Sequence, residues 1–164
     1  MQRLQEILQD VDSTERARAQ RGLHIGKLVN EYSSSYEQGD FLIRSVVQID
    51  TRNQTLAIND AIRRGQTVKF QIRDAEAAHE DLVEALGCES DAMGEETASA
   101  AFLFSCSGRG SHMFSQDHHD IGVLQSELGD IPAAGFFAAG EIGPIAGKNF
   151  LHGFTASLAL LRPK

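Results

Sequence analysis

The sequence predicts an α+β or mixed α/β protein, a central mixed sheet with covering helices in a single domain spanning 1–164, and three stretches carry that expectation. Ala100-Ala-Phe-Leu-Phe-Ser-Cys106 is an unbroken, mostly apolar run that stops at the polar, glycine-flanked Ser107-Gly-Arg-Gly110. Such a run suits a strand buried on both faces, although periodicity alone leaves a short buried helix open. Val68, Phe70 and Ile72 alternate with Lys69, Gln71 and Arg73, the period of a half-buried strand. Directly after them Asp74 offers an N-cap, and Ala75, Ala78, Leu82, Ala85 and Leu86 form one helical stripe that Gly87 can end.

The other elements follow from the same periodicities. Leu4, Ile7, Leu8 and Val11 predict an amphipathic helix over 3–11, and the charged run 13–21 a second, solvated helix closed by Gly22. Residues 1–22 thus form a helical segment ahead of a sheet-and-helix core over 23–164. Residues 23–29 are a short strand candidate, and 33–39 read as a surface loop. Phe41, Ile43, Val47 and Ile49 recur at period two, a strand with those residues inward, and 51–54 is the turn after it. Leu56 and Ile58 continue as a strand, Arg63-Arg64-Gly65 turns the chain, and 88–98, with the acidic Glu95-Glu96, reads as an exposed connection. Ile121, Leu124 and Leu128 space a helix that stops at Gly129; 131–139 is a second apolar strand, and 155–161 a last strand with Ala156, Leu158 and Leu160 inward.

Composition narrows the function. At 164 residues the chain is long enough to bury roughly 70% of its unfolded surface without disulfides. A net charge of −8 argues against a nucleic-acid partner, whose phosphates require a clustered basic surface, and disfavours an anionic membrane. The start Met-Gln-Arg-Leu-Gln-Glu-Ile lacks the apolar core of a signal peptide, and the two cysteines then imply free thiols in a cytoplasmic setting.

Two loops are the places for chemistry. Cys106–Ser111 and Gly140–Pro144 each follow an apolar run, and each sets one charge, Arg109 or Glu141, among glycines that let backbone approach a ligand. If the two runs are parallel neighbours joined by the helix over 116–128, a right-handed crossover brings both loops to one edge. Arg109 would then offer a planar fork to a carboxylate, and Glu141 an acceptor to an ammonium, the two groups of an α-amino acid. Equally, Arg109 and Glu141 can pair with each other and pin the loops. Cys106 could be a nucleophile, but buried thiols are common and no Cys-x5-Arg spacing is present. Cys88 sits in an expected polar loop with no partner motif. His112, His118 and His119 are spaced wrongly for a metal, so Asp117 and Asp120 read as capping and first-turn acids with solvated histidines. His152 reads as a hydrogen-bonded structural histidine. Gly108-Arg-Gly110 is neither a dinucleotide fingerprint nor a phosphate loop. No catalytic residue, metal or cofactor is assigned.

These motifs carry a family resemblance. The strand into Cys106-Ser-Gly-Arg109-Gly110, Ile131-Pro-Ala-Ala-Gly135-Phe-Phe, Gly140-Glu141-Ile-Gly-Pro144, and Leu151-His152 followed by Thr155 resemble the C-terminal domain of the FIST family, named for F-box and intracellular signal transduction proteins. The resemblance implies a sensory, non-catalytic domain that recognises small molecules such as amino acids. It implies a site at Cys106, Gly108, Arg109, Gly110, Gly140, Glu141 and His152, and a FIST N-terminal domain or signalling protein as partner. Two other functions compete with it: an assembly module without a small ligand, docking through the helix Leu4–Val11, and a thiol enzyme at Cys106.

Overall fold

The computed structural model describes every residue except Gln38, Glu95 and Lys164. Gln38 of the expected 33–39 loop and Glu95 of the acidic pair therefore lie outside the described residues. The α+β class holds: four helices and nine strands are present among the described residues, the strands spread over four-, three- and two-stranded sheets rather than gathered in one. Contacts group the chain into two compact units, Met1–Arg73 with Pro144–Phe150, and Asp74–Gly143 with Leu151–Lys164.

The first unit begins with α1 (Gln2–Asp10) and α2 (Ser13–Arg21). Asp12 caps α2 by accepting from the N–H groups of Thr14 and Glu15 at 2.7 and 2.8 Å. Arg16 reaches back to the Leu8 carbonyl at 2.8 Å and to that of Val11 at 3.2 Å, so one side chain satisfies the orphan carbonyls ending α1. Leu4 is buried and Ile7, Leu8 and Val11 half-buried, so the stripe proposed as an exposed docking helix is turned inward. Strands β1 (Leu23–Leu28), β2 (Phe41–Asp50), β3 (Thr55–Ile58) and β4 (Val68–Ile72) form an antiparallel sheet in the order β3-β2-β1-β4. The period-two expectation for β2 fails at its far end. A bulge between Val46 and Gln48 shifts the register, and Val47 and Ile49 face solvent in the β2–β3 ribbon.

The second unit opens with α3 (Ala75–Met93), capped by Asp74 on the Glu76 N–H at 2.9 Å. The helix passes through Gly87 and ends at Gly94, whose φ of 64° needs a residue without Cβ. The expected connection 88–98 is therefore half helix, Cys88 lies on α3 rather than in a loop, and Met93 and Ala98 are buried. A glycine in a helix interior costs about 1 kcal/mol, too little to stop a helix held by burial of Leu82 and Leu86. Strand β5 (Ala100–Cys106) is followed by α4 (His119–Leu128) and β6 (Ala133–Ala138), and β6 pairs with β5 in parallel, so the crossover read from the sequence is present. Leu82, Leu86, Ala101, Val123 and Leu124 form the core on one face. Strand β7 (Glu141–Ile145) and β8 (Lys148–His152), whose Pro144–Phe150 stretch is grouped with the first unit, form a hairpin turned by Ala146 and Gly147, both at positive φ, where the sequence predicted only a loop over 140–144. The last strand, β9 (Ala156–Leu161), runs antiparallel to β5 and packs Ala156, Leu158 and Leu160 on the core as expected.

In the first unit the Asp60 carboxylate accepts from Lys27 at 2.7 Å and Arg44 at 2.9 Å. Partial burial alone would raise its pKa, but these hydrogen bonds and the Ala61 N–H outweigh it and bring the group to about 2. A folded value below the ordinary 3.8 means that the cluster stabilises the fold above that pH and loses this contribution as pH falls toward about 2. Thermal melts of Asp60→Asn should accordingly show a shallower loss of Tm across this acid window than the parent chain; equal slopes would contradict the assignment.

Candidate functional site

The C-terminal end of β5 is built around a buried ion pair. Cys106 ends the strand with its N–H on the Thr155 carbonyl at 2.9 Å. A single 3-10 turn, Ser107–Arg109, then reverses the chain, and Ser107 Oγ donates to the Ala138 carbonyl at 3.0 Å, tying the ends of the two parallel strands. The turn drops Arg109 inward, to 5% exposure. Its Nε and Nη2 donate to the two oxygens of Asp120 at 2.9 and 2.8 Å, and Nη2 also reaches the Ala78 carbonyl at 3.3 Å. Nη1 makes a longer contact, 3.5 Å, to the Phe154 carbonyl. The guanidinium lies 5.2 Å above the Phe114 ring.

Asp120 occupies the first turn of α4, where an acid complements the helix N-terminus. It does more than the sequence suggested. Besides Arg109 it accepts from Ser105 Oγ at 2.7 Å and bonds His119 Nδ1 at 2.9 Å. Burial alone would raise its carboxyl pKa, but the hydrogen bonds from Arg109, His119 and Ser105 outweigh that and hold it below the ordinary value. His119 is accordingly not solvated: it stacks on Phe114 with ring centroids 3.5 Å apart and meets His79 Nδ1 through its Nε2 at 3.0 Å. His112 and His118 are exposed, as expected, and His118 rather than Asp117 occupies the N-cap position. No cluster of three or more His, Cys, Asp or Glu suited to a metal occurs among the described residues.

A groove of about 690 Å³ opens beside this pair, lined by β5, by β6 and by the loop from Arg109 into α4. Of the residues singled out from the sequence, Arg109 and Gly110 line it; Cys106, Gly108, Gly140, Glu141 and His152 do not. The latter three gather at the base of the β7–β8 hairpin. Glu141 is 3% exposed; its Oε2 accepts from Thr155 Oγ1 at 3.0 Å, and its Oε1 has no hydrogen-bond partner among the described residues. His152 Nε2 bonds the Gly143 carbonyl at 2.9 Å, consistent with a structural histidine. Arg109 and Glu141 therefore do not pair with each other. They are linked through Phe154 and Thr155, the first bound to Arg109 and the second to Glu141 and Cys106. Phe154 adopts φ 66°, a strained conformation for an aromatic residue, and its ring fills the space where a Cβ on Gly108 would stand. Sequence reasoning missed Asp120 as the partner of Arg109, and with it Ser105, Phe114 and Thr155.

A groove runs along the helix-backed parallel strand pair, and the Arg109 turn at the carboxyl end of β5 forms part of its wall. No helix among the described residues is long and apolar enough to cross a membrane. The FIST C domain matches residues 1–144. The chain belongs to that family, whose members are sensory domains of signal transduction proteins. The match includes Cys106, Gly108, Arg109, Gly110, Gly140 and Glu141, while His152 lies beyond it. Among relatives, the uncharacterized protein Mb0898c of Mycobacterium bovis is 46% identical over 163 residues, 98% of this chain and 41% of its own length. The uncharacterized protein Rv0628c of Mycobacterium tuberculosis is 45% identical over 163 residues, 98% of this chain and 42% of its own length. The chain thus spans about two fifths of the relatives it matches. No solved structure matches it.

Removing one partner of a buried ion pair leaves the other charge unsatisfied. Arg109→Ala and Asp120→Ala should each lower stability by about 3–5 kcal/mol in urea denaturation, whereas Arg109→Met with Asp120→Leu should recover most of the loss. Additive losses in the double variant would refute the coupling.

Proposed function

We propose that the domain senses a small molecule, an amino acid in the first instance, in the groove beside Arg109. The observation that carries this reading is the position of the groove: an opening of about 690 Å³ that runs along β6 from Ala133 to Phe137 and past the Arg109 turn at the carboxyl end of β5, with a buried cation in its wall. A guanidinium has five N–H donors. Asp120 and Ala78 take those of Nε and Nη2, and Nη1 has, among the described residues, only its 3.5 Å contact to Phe154, which leaves donor capacity for a ligand carboxylate. Asp117, exposed on the groove wall, is the acid placed to receive the ammonium, since Glu141 is turned to Thr155 outside the lining. In this reading Asp120 positions the arginine, and Cys106, Gly108 and Gly140 hold the loops rather than touch the ligand. Family membership supports the sensory role; amino-acid chemistry rests on this constellation. The signalling output belongs to a longer protein, with a FIST N-terminal domain or a signalling protein as the partner, and we place its action in the cytoplasm.

A ligand at 100 times its dissociation constant stabilises its protein by about 2.7 kcal/mol, about 5–11 °C in Tm for a chain of this size. A thermal-shift screen of the standard amino acids should find such a response in the parent chain and lose it in Ala133→Trp, which fills the groove from an exposed position. The responding amino acid, supplied as its carboxamide, should shift Tm far less. An undiminished shift would remove Arg109 from ligand recognition, and an undiminished shift in Ala133→Trp would remove the groove.

A further inference from the structure

The β6 strand is an edge of the three-stranded sheet and, among the described residues, pairs only with β5. Its residues Ala133, Ala134, Gly135, Phe136 and Phe137 are all exposed, the two phenylalanines at 65% and 64%. An open edge of this kind is normally blunted by a lysine, an internal proline or a bulge. Here none is present: residues 131–140 contain no charge, Pro132 precedes the strand, and its register with β5 is unbroken.

We propose that β6 pairs antiparallel with β6 of a second copy of this chain about a two-fold axis through Phe136. Both the backbone and the side chains point to this occupant. Ala101 donates to the Pro132 carbonyl at 2.9 Å, so in a parallel ladder the even-numbered residues of β6 turn their polar groups to β5. Ala133, Gly135 and Phe137 then turn theirs to the open edge. In the register centred on Phe136, Gly135 faces the partner's Phe137, both with outward polar groups, and the two exchange a pair of backbone hydrogen bonds; symmetry repeats the exchange. Phe136 meets the partner's Phe136 in the closer, non-hydrogen-bonded pairing, an aromatic cross-strand contact that extends the Phe104–Phe136 edge contact, whose centroids lie 5.1 Å apart. The partner's Phe137 covers Gly135, where no side chain stands, an arrangement of large against small. Ala134 faces the partner's Ala138. The segment Ala134–Ala138 is thus complementary to itself in this register.

The uncharged edge also lets two copies meet without the repulsion that a chain of net charge −8 generates elsewhere. Two rings about two-thirds exposed offer roughly 200–300 Å² per copy, well below the about 800 Å² per partner of a standard stable interface. Association is accordingly weak and concentration-dependent. Because Gly135 and Phe137 line the groove, the partner strand adds a wall to its open side.

Sedimentation equilibrium of the chain from about 0.01 to 1 mM tests this directly. The average mass should rise toward twice the monomer value, and Phe137→Lys should stay monomeric with unchanged circular dichroism and Tm. The register is tested without Phe137→Lys. In a Cys88→Ser background, Phe136→Cys should oxidise to a covalent dimer, because facing residues in that pairing have Cα atoms about 4.5 Å apart, within disulfide range. Ala134→Cys, roughly 13 Å from its symmetry mate, should not. A monomer at the highest concentration would overturn the proposal. So would a dimer that survives Phe137→Lys, or cross-linking of Ala134→Cys at the rate of Phe136→Cys.

Discussion

The second unit depends on a charge that is neutralised where water is absent. Arg109 reaches its 5% exposed position only because Asp120 meets it with both oxygens and Ala78 and Phe154 supply carbonyls. Each of those partners belongs to a different element, so the guanidinium fixes the β5 turn against the start of α4, the first turns of α3 and the segment leading into β9. An apolar residue in its place would hold these elements with less directionality. A forked donor specifies both distance and angle.

A second constraint works through the backbone. The segment Gly153–Thr155 is squeezed between the end of β8 and the start of β9, and it serves Arg109, Cys106 and Glu141 through three different atoms. Phe154 accepts a left-handed conformation to do so, and Gly108 accommodates its ring. Glycine at 108 thus has a packing reason, since a Cβ there would meet the Phe154 ring. Gly110 alone of the two flanking glycines lies on the groove.

Much of the architecture could be read from residue patterns because it arises from local chemistry. The cap at Asp74, the alternation into β9 and the apolar run of β5 are each short-range signals, and a helical stripe between two apolar strands is the pattern of a crossover joining parallel neighbours. What escaped was decided by tertiary context. Gly87 has the composition of a stop but stays helical because Leu82, Leu86 and Met93 share a buried face. The apolar run 131–139 forms a strand, as its composition suggests, but an exposed one at the edge of its sheet. The hairpin β7–β8 was hidden because Gly143-Pro144 resembles a turn, while the actual turn is Ala146-Gly147. In the site, Asp120 carried an adequate local explanation as a first-turn acid, and nothing in its neighbours announced an arginine eleven residues earlier. The pairing with Glu141 was equally plausible from charge and glycine content alone.

The contact between His79 and His119 carries a consequence for hydrogen placement. Asp120 can only accept, so a neutral His119 must hold its hydrogen on Nδ1 and leave a lone pair on Nε2. That lone pair requires the hydrogen of His79 to sit on its Nδ1, which leaves Nε2 of His79, on an exposed residue of α3, as a bare acceptor. While His119 is neutral, a carboxylate buried in the first turn of α4 thereby sets the tautomer that an imidazole on α3 presents to the surroundings.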